Sequence, residues 1–308
     1  MYYSISKEKL AGVNKLGQVV SCVTLKGYEL HHDYAFMGDD LVALATKENA
    51  ATREDCIIKI SLSENKIIDT FDMEEVLADY KKTCKNNDAH ASGTGMDWVH
   101  LNTIQVTDDD TVIISLRETS TIMKISHLFS QPTIQYMIGE SSFWKGTGYS
   151  SYLYQKLGSF SSAGGQHAVN YESIKGSSSY YLTMFNNNIG LSTSQPDYDW
   201  TQIAGIQLKT NAHMTTTQLK SASSYYYKYL VDETTRTYTL VKKIAVPYSV
   251  YVSSSQDYKN HEIVDSGYQG LFGEYDSSGQ LIRQFKMKLA GLSIYRVYKY
   301  DFKGYYFN

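Results

Sequence analysis

Three histidines recur at nearly constant spacing, His32 to His100 being 68 residues and His100 to His167 being 67. Imidazole is the side chain that exchanges a proton, attacks as a neutral nucleophile or ligates a metal near neutral pH. A lone histidine beside a strand is usually structural. Three in one register point to a shared site. Polar neighbours accompany them: Asp97-Trp98-Val99-His100-Leu101-Asn102, then Arg117-Glu118, then Gly164-Gly165-Gln166-His167. A guanidinium is a planar fork of donors that fits a tetrahedral oxyanion, and an amide adds a neutral donor. Three imidazoles, Asn102 and Arg117 therefore compose an anion site. Three histidines can also hold zinc. The fixed charge of Arg117, and the scarcity of carboxylates beyond Asp33 and Asp97, argue for no metal. The two glycines ahead of His167 allow close backbone approach to a ligand, or form an ordinary small-residue loop.

Something must carry these residues to one place, and the sequence repeats a four-strand plan. The first copy runs from His32 through Tyr34–Met37, a Gly-Asp-Asp turn, Leu41–Leu44, Cys56–Ile60 and Ile67–Phe71. The second holds Thr103–Val106, Thr111–Leu116, Thr121–Ile125 and Thr133–Met137; the third starts at His167 and continues through Tyr180–Phe185. A Ser/Thr/Asn-rich insertion displaces the outer pair of the third copy to Tyr225–Leu230 and Thr237–Ile244. A weaker fourth copy spans Tyr248–Lys286. Alternating four-strand units at this period are propeller blades, and equivalent positions in successive blades point to the same end of the central channel. The predicted fold class is an all-β β-propeller of four-stranded blades occupying residues 1–308 as one domain. A β-sandwich or a solenoid is the alternative. The chain supplies about four complete blades plus terminal halves, Val19–Leu25 as an outer strand and Leu292–Phe302 as an inner pair, which are expected to meet as a shared blade. One helix is expected between Asp72 and Cys84, with Met73, Val76, Leu77 and Tyr80 at helical spacing.

Composition narrows the class. Charged residues are 20%, the formal net charge is −3 and the pI is about 6.2, which excludes the basic footprint of a nucleic-acid binder. Tyrosine appears 28 times against 3 prolines, favouring strands and an exported or cell-envelope location. Cys22, Cys56 and Cys84 have no CxxC spacing, so free thiols are expected. The N-terminus lacks a signal-peptide pattern, and no stretch is long and apolar enough to span a membrane. The expectation is a chain that stays inside the cell or one that has been processed or truncated.

The combination resembles a known family, the bacterial arylsulfate sulfotransferases that work without the nucleotide donor PAPS. The resemblance is carried by His31-His32-Asp33, Asp97–Ile104, Leu116-Arg117 with Ser120–Ile125, and Gly165-Gln166-His167 followed by Leu182–Asn187. It implies a six-bladed propeller and a ping-pong sulfuryl transfer through a sulfohistidine, from small phenolic sulfate donors to phenolic acceptors, with no cofactor. Residue by residue, His167 falls at the nucleophile. His100, Asn102 and Arg117 fall at positions holding the sulfuryl oxygens, with His100 the candidate to shuttle the phenol proton. His32 falls at a further site histidine, with His31 as its rival. His31, Trp98 and Trp144 are the expected substrate contacts, Trp144 belonging with Phe143, Tyr149, Tyr152 and Tyr154 to a loop that lines an aryl pocket or merely packs. Against Gram-negative members, the expectation here is a chain without their signal peptide, their N-terminal β-domain or their disulfide before the nucleophile. The chain also leaves less than six blades, which puts a complete ring in question. The readings to separate are an aryl sulfotransferase, a non-catalytic or truncated propeller binding a glycan or peptide, and a metal-dependent hydrolase or lyase. A homo-oligomer is compatible with each. His90, His127, His213 and His261 lie outside the register and read as surface or core residues.

Overall fold

The computed structural model describes residues 1–85 and 95–303, so His90 lies outside the described residues. Five sheets form a five-bladed β-propeller. An N-terminal sheet of three strands, Tyr2–Ser6, Lys9–Val13 and Val19–Thr24, precedes four larger blades. The His32 blade is Tyr28–Met37, Asp40–Lys47, Cys56–Ser61 and Lys66–Asp72. The His100 blade is Leu101–Asp108, Thr111–Leu116, Thr121–Ser126 and Thr133–Ile138. The His167 blade is His167–Ser173, Ser179–Asn186, Ser223–Asp232 and Thr237–Pro247, extended by Gln155–Leu157 pairing in parallel on its outer edge. The C-terminal blade is Ser254–Tyr258, His261–Ser266, Leu271–Tyr275 and Leu281–Lys286.

Alternation within single strands glues the blades face to face. In Thr111–Leu116 the even-numbered Val112, Ile114 and Leu116 pack with Val42 and Leu44 of the preceding blade. Ile113, pointing the other way, joins Val169, Leu182 and Met184 of the following blade. Buried on both faces, these middle strands read as nearly continuous apolar runs. The same division recurs: Leu41, Ala43 and Ala45 pack on Leu10, Val23 and Leu25 of the N-terminal sheet, and Phe185, Tyr226 and Val246 pack on Val264 and Tyr275 of the C-terminal blade. Much of the tyrosine sits between blades, where Tyr136, Tyr227 and Tyr229 are buried and the Tyr180 hydroxyl donates to that of Tyr136 at 2.6 Å.

The expected helix forms as Glu74–Lys81, the Asp72 carboxylate accepting the Glu74 N–H at 2.8 Å. The Leu292–Phe302 segment differs from expectation. It runs extended without forming an inner strand pair, because the Ser254 hydroxyl and the Gln256 side chain intercept its backbone, accepting from Val297 N at 2.9 Å and Lys299 N at 2.7 Å. From there Arg296 reaches Asp33 of the His32 blade at 2.6 Å, linking the last blade to an earlier one. Among the described residues no helix is long and apolar enough to cross a membrane.

Ile114 has no exposed surface, whereas Ile282 on the outer strand of the C-terminal blade is 47% exposed. Ile114→Ala is expected to lower stability by about 2–5 kcal/mol and Ile282→Ala by about 0.5 kcal/mol or less, read from urea midpoints at constant slope.

Candidate active site

Each inner strand enters the channel through a residue in the left-handed region: His32 (φ 51°), His100 (φ 53°), Ala168 (φ 50°) and Ser253 (φ 86°). Non-glycine residues rarely adopt this conformation, and here it accompanies a break in register within the first of these strands and at the start of the next two. His32 and His100 occupy the same backbone slot. His167 stands one residue ahead of it, as His31 does, which is why the spacing shortens from 68 to 67.

The structure brings His32, His100, Arg117 and His167 together. The His32 and His100 rings meet edge to face with centroids 4.8 Å apart, and His31 lies behind, its Nδ1 2.9 Å from Nδ1 of His32. His32 is therefore the member that faces His100. His100 Nδ1 lies 2.6 Å from both Asp97 Oδ2 and Glu54 Oε2. Arg117 Nη2 reaches Asp97 Oδ2 at 3.3 Å and also pairs with Glu118, while its guanidinium lies 5.8 Å from the Tyr251 ring centroid. Glu118 in turn accepts from the Thr193 hydroxyl at 3.0 Å. A cavity of about 200 Å³ opens on this group, lined by Arg53, Glu54, Asp97, His100, Arg117, Leu191, Thr193 and Tyr251. A second, of about 360 Å³, meets His31, His32, Tyr34 and Tyr295 with Lys7 at its edge.

His167 is held differently. Its Nδ1 lies 2.8 Å from Asn187 Oδ1 and 3.0 Å from the Gly165 carbonyl, and the residue is 3% exposed. The preceding loop is clamped to the His100 blade. Asn102 Nδ2 donates to the Gln166 carbonyl at 2.7 Å, Gln166 Nε2 donates to Ser115 Oγ at 3.1 Å, and Gly165 N donates to Ser120 Oγ at 2.9 Å. Asn102 thus spends its amide on the backbone just ahead of His167. The glycines serve packing: a Cβ on Gly165, at φ 62°, would stand 2.6 Å from Ile189 Cγ2.

Trp98 and Trp144 are not brought to the cavity. Both are fully buried, their indole N–H groups donating to Asp55 Oδ2 at 2.7 Å and to Thr121 Oγ1 at 2.9 Å. Residues that the sequence reading did not single out for the site take their place: Arg53, Glu54, Leu191, Thr193 and Tyr251. A signal for two of them existed, since Arg53-Glu54 repeats, at the connection between second and third strands, the Arg117-Glu118 dipeptide of the next blade.

Burial acts on the four imidazoles and on Asp97 and Glu54, and its outcome depends on their partners. It drives His31 down to about 4 and His167 to about 3, and it takes His32 well below the ordinary value with help from the neighbouring His100 charge. At His100 burial and Arg117 oppose protonation, but Asp97 and Glu54 outweigh them and carry the imidazole up to about 9. Asp97 and Glu54 are correspondingly held below the usual carboxylate range despite their burial, chiefly by His100. His32, Glu54 and His100 offer ligand atoms within 4.8 Å of one another, a set with the donor types of a zinc site. The guanidiniums of Arg53 and Arg117 approach the same Asp97 oxygen at 3.9 and 3.3 Å, so the carboxylates already have cationic partners.

A β-propeller with an imidazole and guanidinium cluster at its channel is the class these observations define. The chain belongs to the Arylsulfotransferase (ASST) family, whose sequence model matches residues 1–302, and this places it among sulfotransferases. No curated protein matches the chain. Solved structures similar to it are propellers of low identity. The Dos1 propeller matches at 13% identity with a TM-score of 0.41, covering 94% of this chain and 74% of that one. The Pseudomonas aeruginosa periplasmic gluconolactonase matches at 10% and 0.44, covering 92% of this chain and 64%, less than two thirds, of that one. Kluyveromyces lactis Hsv2 matches at 8% and 0.42, covering 94% and 79%.

The raised pKa of His100 has a stability consequence. A base whose folded value exceeds its unfolded 6.5 contributes stability fully present below pH 6.5 and lost as pH rises toward about 9. Wild type should lose about 3 kcal/mol of this contribution across that window. Thermal unfolding of wild type against His100→Gln, from pH 6 to 9.5, should show a steeper alkaline decline in wild type.

Proposed function

We propose that the chain transfers a sulfuryl group from a phenolic sulfate to a phenolic acceptor by a ping-pong reaction through His167, without a nucleotide. The observation that carries this reading is a contrast between two imidazoles of one channel. The Nδ1 of His167 meets two neutral oxygens, and the Nδ1 of His100 meets two carboxylates. Environments that push two titratable groups apart separate a base or nucleophile from an acid.

In the first half-reaction Nε2 of His167 attacks sulfur; the N–S bond forms as the S–O bond to the aryl group breaks. Protonated His100 gives its Nε2 proton to the departing phenolate. Arg117 stabilises charge on the sulfuryl oxygens with its remaining donors, and preoriented donors of this kind usually supply the largest share of catalysis. In the second half-reaction the acceptor phenol returns a proton to His100 as its oxygen takes the sulfuryl group and the N–S bond breaks. His32 packs on His100 and limits its motion. Tyr251 and Leu191 are the apolar walls available to an aryl ring in the cavity.

A second reading, metal-dependent hydrolysis, draws on the ligand spacing of His32, Glu54 and His100. It requires activity that a chelator removes and a divalent cation restores.

The test is colour release from 4-nitrophenyl sulfate with and without phenol, in the absence of nucleotide. Phenol-dependent release should survive EDTA and fall by about 10³-fold or more in His167→Ala. No release from folded wild type would remove the proposal. In the first half-reaction, read as the single-turnover release of phenol without acceptor, His100→Gln should lose about 10²–10⁴-fold with phenyl sulfate and much less with 4-nitrophenyl sulfate, whose leaving group needs no proton. Equal losses on both substrates would exclude His100 as the acid.

A further inference from the structure

The side chain of Asn187 is wholly buried between His167 and a turn of the C-terminal blade. Its oxygen lies 2.8 Å from His167 Nδ1. Its Nδ2 donates to the Ser249 carbonyl at 2.9 Å and to the Val252 carbonyl at 3.1 Å. An amide nitrogen facing two carbonyls cannot exchange places with its oxygen without setting lone pair against lone pair, so the amide has one orientation. Oδ1 can then only accept. The other neighbour of Nδ1, the Gly165 carbonyl at 3.0 Å, can only accept as well. Both partners demand a proton on Nδ1, which leaves the lone pair on Nε2.

The turn that orients Asn187 is itself under strain. Val252 (φ 55°) and Ser253 (φ 86°) are consecutive non-glycine residues in the left-handed region, a costly conformation for a β-branched side chain. Hydroxyl groups hold it: Ser249 Oγ donates to the Tyr251 carbonyl at 3.1 Å, Ser253 Oγ donates to Ser249 Oγ at 2.8 Å, and Ser224 Oγ accepts from Ser249 N at 2.9 Å. The effect is to aim the Val252 carbonyl at Asn187 while Tyr251 of the same turn lines the cavity beside Arg117.

We propose that Asn187 is a positioning residue that fixes His167 as the Nδ1–H tautomer, presenting Nε2 as the only nucleophilic nitrogen, and that the Ser249–Ser253 turn fixes Asn187 in that task. The proposal rests on the sulfuryl-transfer reading for its catalytic meaning but not for its structural content. Asn187 is neutral, so it orients the ring without a carboxylate's pull toward imidazolium; the charged or titratable groups that otherwise act on His167 are Arg117, His100 and His32.

The tautomer is measured directly on the full-length protein by two-bond ¹H–¹⁵N correlation spectra of ¹⁵N-histidine-labelled samples, with His167 assigned from His167→Gln. Wild type should show a pyrrole-like Nδ1 and a pyridine-like Nε2. Asn187→Leu should populate both tautomers and lower kcat by about 10-fold or more with little change in KM. Asn187→Asp, keeping an acceptor but adding charge, should retain the Nδ1–H tautomer and move the acid limb of kcat/KM upward by about one to three pH units. A wild-type Nε2–H tautomer, an unchanged tautomer in Asn187→Leu, or an acid limb unmoved in Asn187→Asp would each overturn the proposal. Acid-quenched ³⁵S labelling of His167 tests the transfer reading separately: absent label with the predicted tautomer leaves the positioning role standing without its proposed chemistry.

Discussion

One oxygen of a buried carboxylate organises the site. Asp97 Oδ2 takes His100 Nδ1 at 2.6 Å and Arg117 Nη2 at 3.3 Å, and has Arg53 Nη2 at 3.9 Å. These three cations come from the His100 strand entry, the connection after Thr111–Leu116, and the connection after Asp40–Lys47. Charges removed from water are tolerable only when paired and hydrogen-bonded, and stripping one partner from such a group leaves the others uncompensated. Asp97 therefore ties the positions of two blades to the protonation of His100. Its own placement comes from the two-residue parallel pairing of Met96-Asp97 with Thr52-Arg53.

Around that carboxylate the channel has two regimes. On the His100 side, Glu54, Asp97 and Glu118 face Arg53, Arg117 and an imidazolium, so charge is retained and matched. On the His167 side the partners are carbonyls and amides, and burial, aided by the charges of Arg117 and His100, keeps the imidazole neutral against the two hydrogen bonds. Under the proposed transfer neither side could take the other's shell. A carboxylate at His167 would favour imidazolium and block the lone pair, and carbonyls at His100 would leave it unprotonated, as burial does at His31. The insertion after Ser179–Asn186 separates these surroundings from solvent: Thr193 returns to Glu118, and the Ser194 hydroxyl donates to the Trp98 carbonyl at 3.2 Å.

How much of this was legible in the sequence follows from what periodicity can encode. Strands buried on both faces announce themselves as Val112-Ile113-Ile114 or Val42-Ala43-Leu44, and a blade repeat places equivalent positions at one end of a channel, so the convergence of His32, His100 and His167 could be anticipated. Arg117 followed because a hairpin returns its chain to the rim where it began. Leu191, Thr193 and Tyr251 could not be found that way. They sit in connections whose lengths vary from blade to blade, where no register is kept and only tertiary contact defines the neighbour. Trp98 illustrates the converse: it lies two residues from His100, yet it sits in a bend after the Met96–Asp97 strand and its indole turns to Asp55 and the core. Proximity in sequence to a site residue says little about facing the site where the chain bends between the two and His100 itself is in the left-handed region.

The shortened spacing at His167 carries more information than the histidine itself. Had the third histidine kept the 68-residue step, it would stand at Ala168, in the left-handed slot that His32 and His100 occupy. There its ring would leave the backbone in the direction that takes theirs toward one another, 4.8 Å apart. One residue earlier, the ring instead leaves a segment held by Asn102 and Ser115 from one blade, through Gln166, and by Asn187 from its own. In the proposed transfer the nucleophile and the acid approach the same sulfuryl group from different directions, since the bond that forms and the bond that breaks lie on opposite sides of sulfur. Two imidazoles in identical slots of neighbouring blades would be related by the rotation of the propeller and would crowd one side of the channel. Displacement of one histidine by a single residue breaks that symmetry within the repeat, so a fold built from equivalent blades can present two inequivalent imidazoles to one substrate.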